Sequence, residues 1–190
     1  MGVSASLKAV HNDDLVRIEA DSSLVIPFLT GASPVAEAPP KRSFFDRLLK
    51  RPEQDIVQPF HNTPSVTLAG HWEIMTFALS GPNPPTDNPL DLVESDFEAC
   101  STIDLGYGPP RIIPTSRMAQ FDTAISVLSD DDISGRLNGE EMTEAGIYER
   151  EQILLDLSEW KNALVQKAAE LRAFARYCTE HQCAALVYFH

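Results

Sequence analysis

Acidic and amide side chains between residues 130 and 141 have the spacing of a calcium-binding loop. In an EF-hand, ligands stand at loop positions 1, 3, 5, 9 and 12, and a glycine at position 6 allows the sharp turn. Here those places are filled by Asp130, Asp132, Ser134, Asn138 and Glu141, with Gly135 at the turn. Side-chain oxygens at this spacing suit Ca²⁺. Taken alone, this spacing indicates a calcium-binding loop.

The residues before this segment argue against an EF-hand. The apolar side chains that should lock the entering helix fall at Phe121, Ile125 and Leu128, one residue out of register with the loop. The sequence contains no second loop of this kind. Ser129 followed by Asp132 matches a capping box, which begins a helix. We therefore expect a helix start here and no metal site.

Recognisable catalytic motifs are missing from the sequence. It contains no GxSxG nucleophile turn, no HExxH zinc motif, no P-loop and no complete dinucleotide-binding glycine motif. The histidines are scattered without metal-ligand spacing: His11, His61, His71, His181 and His190. Cys178 and His181 lie three residues apart, but catalysis would need a third group to orient the histidine. The sequence predicts neither an active site nor a cofactor.

The segment DLGYGPPRIIPTSRM, residues 104–118, has the composition of a rigid turn before a helix. Gly108 allows a positive φ, and Pro109 and Pro110 stiffen the backbone. Arg111 suits a carboxylate or phosphate ligand. The alternative is a scaffold in which Arg111 pairs with a carboxylate such as that of Asp104 and Tyr107 is mostly buried. We favour the scaffold.

Charge and composition restrict the class of partner. The 190 residues carry a formal net charge of −13, which repels phosphate backbones and suits a basic protein partner. We expect one domain over residues 1–190 and no nucleic-acid partner. The three cysteines fit reduced thiols. No apolar run is long enough to span a membrane and no signal peptide opens the chain, so the expected location is the cytoplasm.

A Pro/Ala-rich stretch at about 31–43 has no hydrophobic periodicity and is typical of a surface excursion. It runs into a basic amphipathic segment at 41–51, which carries Phe44, Phe45, Leu48 and Leu49. Such a helix binds a membrane surface or a partner, or docks on its own domain. We favour the docked helix, since two turns give little membrane affinity.

Hydrophobic periodicity predicts the main elements. Residues 3–10 alternate as in a half-buried strand, whereas Ala184 to Phe189 is a continuous apolar run typical of an interior strand. A long helix is expected from Leu157 to Cys178. Thr63 and Pro64 look like the start of a helix that carries Leu68, Trp72, Met75 and Leu79 on one face. CSTIDLGY, residues 100–107, is expected to be a short strand. Strands near both ends with helices between them suggest a central sheet covered on both sides.

Five segments in order resemble the YfbM-like family of small bacterial proteins of unknown function: HWEIMTFALSG, NPL, LGYGPPRIIP, RLNGEEMTEAGIY and LRAFARYCTEHQCAALVYF. The resemblance covers about residues 66–190 and implies an α/β three-layer sandwich. In it, helices flank a small central mixed sheet that includes both terminal strands. It also implies a helix in place of the calcium-like loop. The family usually has a histidine four residues after the tryptophan, and Thr76 stands there in this chain.

These features favour a non-catalytic, cytoplasmic bacterial binding protein with a protein partner. Small acidic immunity proteins offer an analogy in composition only. The alternative is an enzyme or small-ligand binder with a site around Tyr107, Arg111, Trp72 and Tyr148. The candidate binding residues are then Trp72, Thr76, Tyr107, Arg111 and Tyr148. What separates the two is whether Trp72 and Tyr107 line an open pocket.

Overall fold

The structure is a computed structural model that describes residues 3–32, 58–68, 72–93, 96–147 and 150–190. It has a mixed α/β fold in which a four-stranded sheet packs against helices. The predicted excursion at 31–43, beyond residue 32, and the basic segment at 41–51 lie outside the described residues. Tyr148 also lies outside them.

The two middle strands of the sheet come from opposite ends of the sequence. The strands are β1 (Ala5–Val10), β2 (Ser65–Thr67), β3 (Arg111–Ile113) and β4 (Ala184–Phe189). Their order is β2-β1-β4-β3, and β1 pairs with β4 along its whole length. The ladder continues past both strands, because Ser4 N donates to His190 O at 2.9 Å and His190 N donates to Ser4 O at 3.0 Å.

The expectation of a mixed sheet is wrong for the described strands, since all three neighbouring pairs are antiparallel. The connection between β3 and β4 explains the direction of β4. The helices between these strands return the chain to the end of the sheet where β3 finishes, so β4 runs in the opposite direction. The interior position predicted for Ala184 to Phe189 is confirmed.

Helices account for most of the described residues outside the sheet. They are α1 (Asn12–Ala20), α2 (Val25–Thr30), α3 (Trp72–Ser80), α4 (Thr115–Ser126), α5 (Asp130–Gly135), α6 (Gly139–Glu144), α7 (Arg150–Leu155) and α8 (Leu157–Glu180). A 3₁₀ turn at Ser22–Leu24 joins α1 to α2. The long helix predicted from Leu157 is confirmed as α8. In the described part of the chain, no helix combines the length and the apolar character that crossing a bilayer requires.

Both faces of the sheet carry buried side chains. On one face, Leu7 and Val187 belong to a large core that includes residues of α3 to α8. On the other, Val10 and Leu186 belong to a small core with residues of α1 and α2. The alternation in residues 3–10 predicts one wet face, but the structure covers that face as well.

Lys8 shows how the second face accepts a charged side chain. Its ammonium donates hydrogen bonds to the carbonyls of Phe28 at 2.6 Å and Leu29 at 3.2 Å, near the end of α2. Cations are favourable at a helix C-terminus because the last carbonyls have no partner within the helix. Partial burial lowers the pKa of Lys8.

Two predicted elements have different boundaries in the structure. Thr63 and Pro64 lead into β2 and not into a helix, because the Thr63 hydroxyl donates to Ala9 O at 2.6 Å and Pro64 O accepts from Ala9 N at 3.0 Å. Within the described residues, the helix of the tryptophan covers Trp72–Ser80. Residues 100–107 form no strand, and the nearby edge strand is β3, which starts at Arg111.

Candidate functional site

A short turn at one end of the sheet presents Tyr107 to solvent. One carboxylate oxygen of Asp104 accepts hydrogen bonds from the backbone N–H of Gly106 at 2.7 Å and of Gly108 at 2.9 Å. Both glycines have positive φ, 108° and 97°, which glycine adopts without strain. Tyr107 between them is 59% exposed. The turn is therefore held by its own hydrogen bonds and needs no core contact from the tyrosine.

Arg111 lies just after this turn, as the first residue of edge strand β3. Its side chain is 41% exposed, and its ion pair with the exposed Asp96 is long, at 4.0 Å. The expectation that Tyr107 is mostly buried is wrong, and the carboxylate that Arg111 pairs with is that of Asp96 and not that of Asp104. The carboxylate of Asp104, the suggested partner, is instead engaged by the two glycine N–H groups.

Trp72 and Thr76 lie on α3, against the same face of the sheet as Arg111. Trp72 is half-buried and packs edge-to-face on Phe189, with ring centroids 5.7 Å apart. Arg111 is opposite Val187, two residues from Phe189, so the side chains of Arg111 and Phe189 point to the same face. Thr76 borders a cavity of about 10 Å³, whose other lining is apolar apart from backbone. This volume is at the lower limit for one water molecule and excludes a ligand.

The structure thus brings Tyr107, Arg111 and Trp72 to one end of the sheet. A larger open groove, of about 400 Å³, is lined by Asp87, Pro89, Arg117, Gln120, Thr123 and Ala124. Neither this groove nor the small cavity is lined by Tyr107, Arg111 or Trp72. The arrangement at the turn is an exposed surface.

The calcium-like segment forms two helices, and its polar side chains cap them. Ser129 and Asp132 form a reciprocal capping box at the start of α5, as predicted. The Asn138 side chain accepts from Glu141 N at 2.9 Å at the start of α6. Hydrogen bonds from Ser129 hold the pKa of Asp132 below its usual range. Helical backbone and capping contacts thus occupy the places where a calcium loop would direct these oxygens at an ion.

Ser129→Ala should lower the free energy of unfolding by about 1 kcal/mol, because the Asp132 N–H loses its capping oxygen. Urea unfolding measures this, and Ser116→Ala, at an exposed helix serine, is the matched control.

Calorimetry with Ca²⁺ should show no binding with a dissociation constant tighter than about millimolar. A micromolar isotherm that Glu141→Gln abolishes would restore the EF-hand.

A second group of chemically active side chains meets at the opposite end of the sheet. We name it the histidine cluster: His11, Asp14, His61, Tyr177, His181 and Cys183. Its members lie before or at the start of α1, before β2, at the end of α8 and before β4. The sheet brings them together because β1 ends, and β2 and β4 begin, at this end.

His11 is the centre of the cluster. Its Nδ1 is 3.4 Å from Cys183 Sγ, and its Nε2 is 3.5 Å from the Tyr177 hydroxyl. The His61 ring lies at 4.6 Å and the His181 ring at 6.5 Å from the His11 ring, between centroids. Cys183 is buried and burial raises the pKa of its thiol. The resting thiol is therefore neutral and is a poor nucleophile.

Asp14 orients His61 through hydrogen bonds to its backbone and its ring. Its side chain is 1% exposed and accepts from both the backbone N–H and the Nδ1 of His61, at 2.9 and 2.8 Å. The other carboxylate oxygen accepts from Arg17 at 3.0 Å. A carboxylate on Nδ1 fixes the ring tautomer and leaves the Nε2 lone pair directed away from the pair.

Sequence reasoning missed this cluster. The interpretation that the histidines are scattered is wrong for His11, His61 and His181, which the fold brings together. Cys183, not Cys178, is the cysteine that contacts a histidine side chain; Cys178 lies in the large core, where burial raises its pKa to about 12. Among the described residues, no three His, Cys, Asp or Glu side chains are placed to hold a metal ion as they stand.

Comparisons with known proteins agree with this fold and do not assign an activity. No curated protein matches the sequence. The fold is similar to the crystal structure of YfbM from Escherichia coli, a protein of unknown function, with a TM-score of 0.58 and 11% sequence identity. The match covers 98% of this chain and 99% of that one. The model of a domain of unknown function, DUF1877, matches residues 1–188, and the chain therefore belongs to the DUF1877 family.

Proposed function

We propose that this protein is a non-catalytic binding protein of the bacterial cytoplasm that contacts a protein partner through Tyr107 and Arg111. One observation carries the proposal. Tyr107 is 59% exposed at the tip of a turn that is held by the hydrogen bonds of Asp104 and not by the tyrosine side chain. A three-layer sandwich, which we infer from buried residues on both faces of the sheet, serves as the scaffold for this turn.

The residue types and their rigidity suit a protein interface. Tyrosine and arginine are enriched among the residues whose truncation most weakens protein complexes. The two hydrogen bonds to Asp104 fix the turn before any partner arrives, which lowers the conformational entropy lost on binding. Arg111 has an exposed guanidinium with one long ion pair, so a partner carboxylate or carbonyl can bind it.

The net charge indicates the partner's chemistry. A chain of −13 attracts a basic protein and speeds their encounter at low ionic strength. Immunity proteins that block a basic toxin offer an analogy for such a pairing. The alternative, an enzyme or small-ligand site around Tyr107, Arg111, Trp72 and Tyr148, has less support because the cavities described lie elsewhere.

The test compares four tagged forms of the full chain, each isolated from its native cell: wild type, Tyr107→Ser, Arg111→Ala and Val16→Ser. Val16 is a 55% exposed residue of α1 and serves as the control. We expect one protein that is recovered with wild type and Val16→Ser and lost with the other two variants. The purified pair should then bind with an affinity that falls at least about tenfold for Tyr107→Ser.

Stability separates a binding role from a scaffold role. Tyr107→Ser and Arg111→Ala should melt within about 2 °C of wild type, since neither side chain has a strong contact within the described residues. If all four forms retain the same proteins, or if Arg111→Ala lowers stability by several degrees, the proposal is wrong. A small molecule that copurifies only with forms retaining Tyr107 would support the alternative.

A further inference from the structure

The open groove of about 400 Å³ is lined by α4 and by the loop that follows α3. Its volume is in the range of small-molecule sites, about 300–1,000 Å³. The groove is lined by one cation, Arg117 of α4, and by one carboxylate, Asp87 of the loop. Nη1 of Arg117 and Oδ1 of Asp87 are 3.3 Å apart. Both signs of charge are therefore present in one small space.

The loop backbone holds the Arg117 guanidinium in place. Its Nη2 donates to the carbonyl of Asn88 and, at 3.4 Å, to that of Asp91. The loop itself is restricted by the four prolines within residues 82–89, and Asn88 Oδ1 accepts from Leu90 N at 3.1 Å. The cation is thus positioned before any ligand arrives, which lowers the entropy lost on binding.

The guanidinium has hydrogen-bonding capacity that the fold does not use fully. The Arg117 side chain is only 11% exposed, and its buried Nε has no acceptor among the described residues. Nη1 has two contacts, at 3.3 Å to Asp87 and at 3.5 Å to Gln120 Oε1, and both exceed the usual range of about 2.7–3.2 Å. A poorly paired buried donor costs folding free energy, which a ligand acceptor on Nη1 would regain in part.

The two charges restrict the class of ligand. A simple anion on Arg117 is repelled by Asp87, and a simple cation on Asp87 is repelled by Arg117. A ligand that carries both charges close together satisfies both residues with charge-assisted hydrogen bonds. The Asp87 side chain is fully exposed, and the described residues hold its carboxylate only through the long contact to Arg117. It is therefore free to turn towards a ligand ammonium.

We propose that this groove binds a free α-amino acid, with the ligand carboxylate on Nη1 of Arg117 and the ligand ammonium on Asp87. Pro89 and Ala124 supply apolar contact for the rest of the ligand. The bonds from Nη2 to the loop carbonyls stay as they are. The long contact between Asp87 and Arg117 gives way to one ion pair for each residue. The site is separate from Tyr107 and needs no protein partner.

The test is a titration of the full, ¹⁵N-labelled chain with each of the standard amino acids, followed by amide chemical shifts. We expect at least one of them to bind with a dissociation constant of about 1 mM or tighter and to shift the amides of Asp87, Gln120 and Thr123. Its deaminated acid and its decarboxylated amine should each bind at least about tenfold more weakly. If no amino acid shifts these amides, or if the acid alone binds equally well, the proposal is wrong.

Variants at exposed positions locate the site without disturbing Arg117. Thr123→Trp should abolish binding by filling the groove, and Asp87→Asn should weaken it at least about tenfold. Ser126→Trp is the steric control, at an exposed residue of α4 outside the groove lining. Circular dichroism checks that each variant is folded. Binding that Thr123→Trp and Asp87→Asn leave unchanged lies elsewhere on the chain and overturns the proposal. A protein partner of Tyr107 should still be recovered with Thr123→Trp, so the two sites are tested independently.

Discussion

Val187→Asp should prevent the protein from accumulating in a folded, soluble form. Val187 is 1% exposed, and in β4 it lies between Leu7 of β1 and Arg111 of β3. An aspartate there puts an unpaired charge into the large core, at a cost of about 4 kcal/mol or more. Because the free energy of unfolding of such domains is only about 5–15 kcal/mol, this cost removes a large part of it. Soluble yield and circular dichroism measure the effect.

Two further substitutions separate the effect of the buried charge from the effect of lost packing. Val187→Ala removes apolar volume without a charge, so we expect a folded protein destabilised by about 2 kcal/mol. Val16→Asp adds the same charge to an exposed side of α1 and should change stability by less than about 0.5 kcal/mol. If Val187→Asp melts at the wild-type temperature, β4 is frayed in solution and the strand order β2-β1-β4-β3 is incorrect.

Asp14→Ala should reduce the free energy of unfolding by about 2–3 kcal/mol, because charged hydrogen bonds to a buried carboxylate are lost together. Asp14 accepts from Arg17 and twice from His61, and so joins α1 to the segment before β2. This cost is at the low end for a buried ion pair, because Arg17 and His61 are partly exposed and are solvated by water when the carboxylate is removed. Urea unfolding at neutral pH gives the value.

Asp13→Ala is the matched control, at an exposed carboxylate of the same helix turn, and should cost less than about 1 kcal/mol. A double-mutant cycle with His61→Ala isolates the part that depends on the imidazole. A coupling energy near zero would mean that the His61 ring does not contact Asp14 in solution. The orientation of His61 by Asp14 would then not hold in solution.

The elements that could be predicted are those whose pattern is long or strongly biased. The apolar run of β4 and the repeated stripe of α8 depend only on residues within the element, so periodicity identifies both. β2 was missed because its local sequence favours a helix start at Thr63. The contact that overrides this preference, from Thr63 to Ala9, joins residues that are far apart in the chain.

Candidate residues could be predicted from the sequence only where a short local motif carries them. Tyr107 and Arg111 could be singled out because the turn that carries them is built from adjacent glycines and prolines, although Tyr107 was wrongly predicted to be mostly buried. The histidine cluster could not be found, because His11 and Cys183 are 172 positions apart and His61 and Asp14 are 47 apart. No short motif encodes such pairs. They meet only when the order of the strands is known.

The pairing of β1 with β4 also sets the order of events during synthesis. β1 leaves the ribosome before the other described elements, and its partner β4 follows only after residues 11–183. Contacts with such long sequence separation form slowly, because a large loop must close before they contribute. Until β4 arrives, one edge of β1 and one edge of β3 lack their strand partner. A ribosome that pauses before residue 184 should therefore hold a chain that recruits chaperones, and the sheet should assemble as a late, cooperative step.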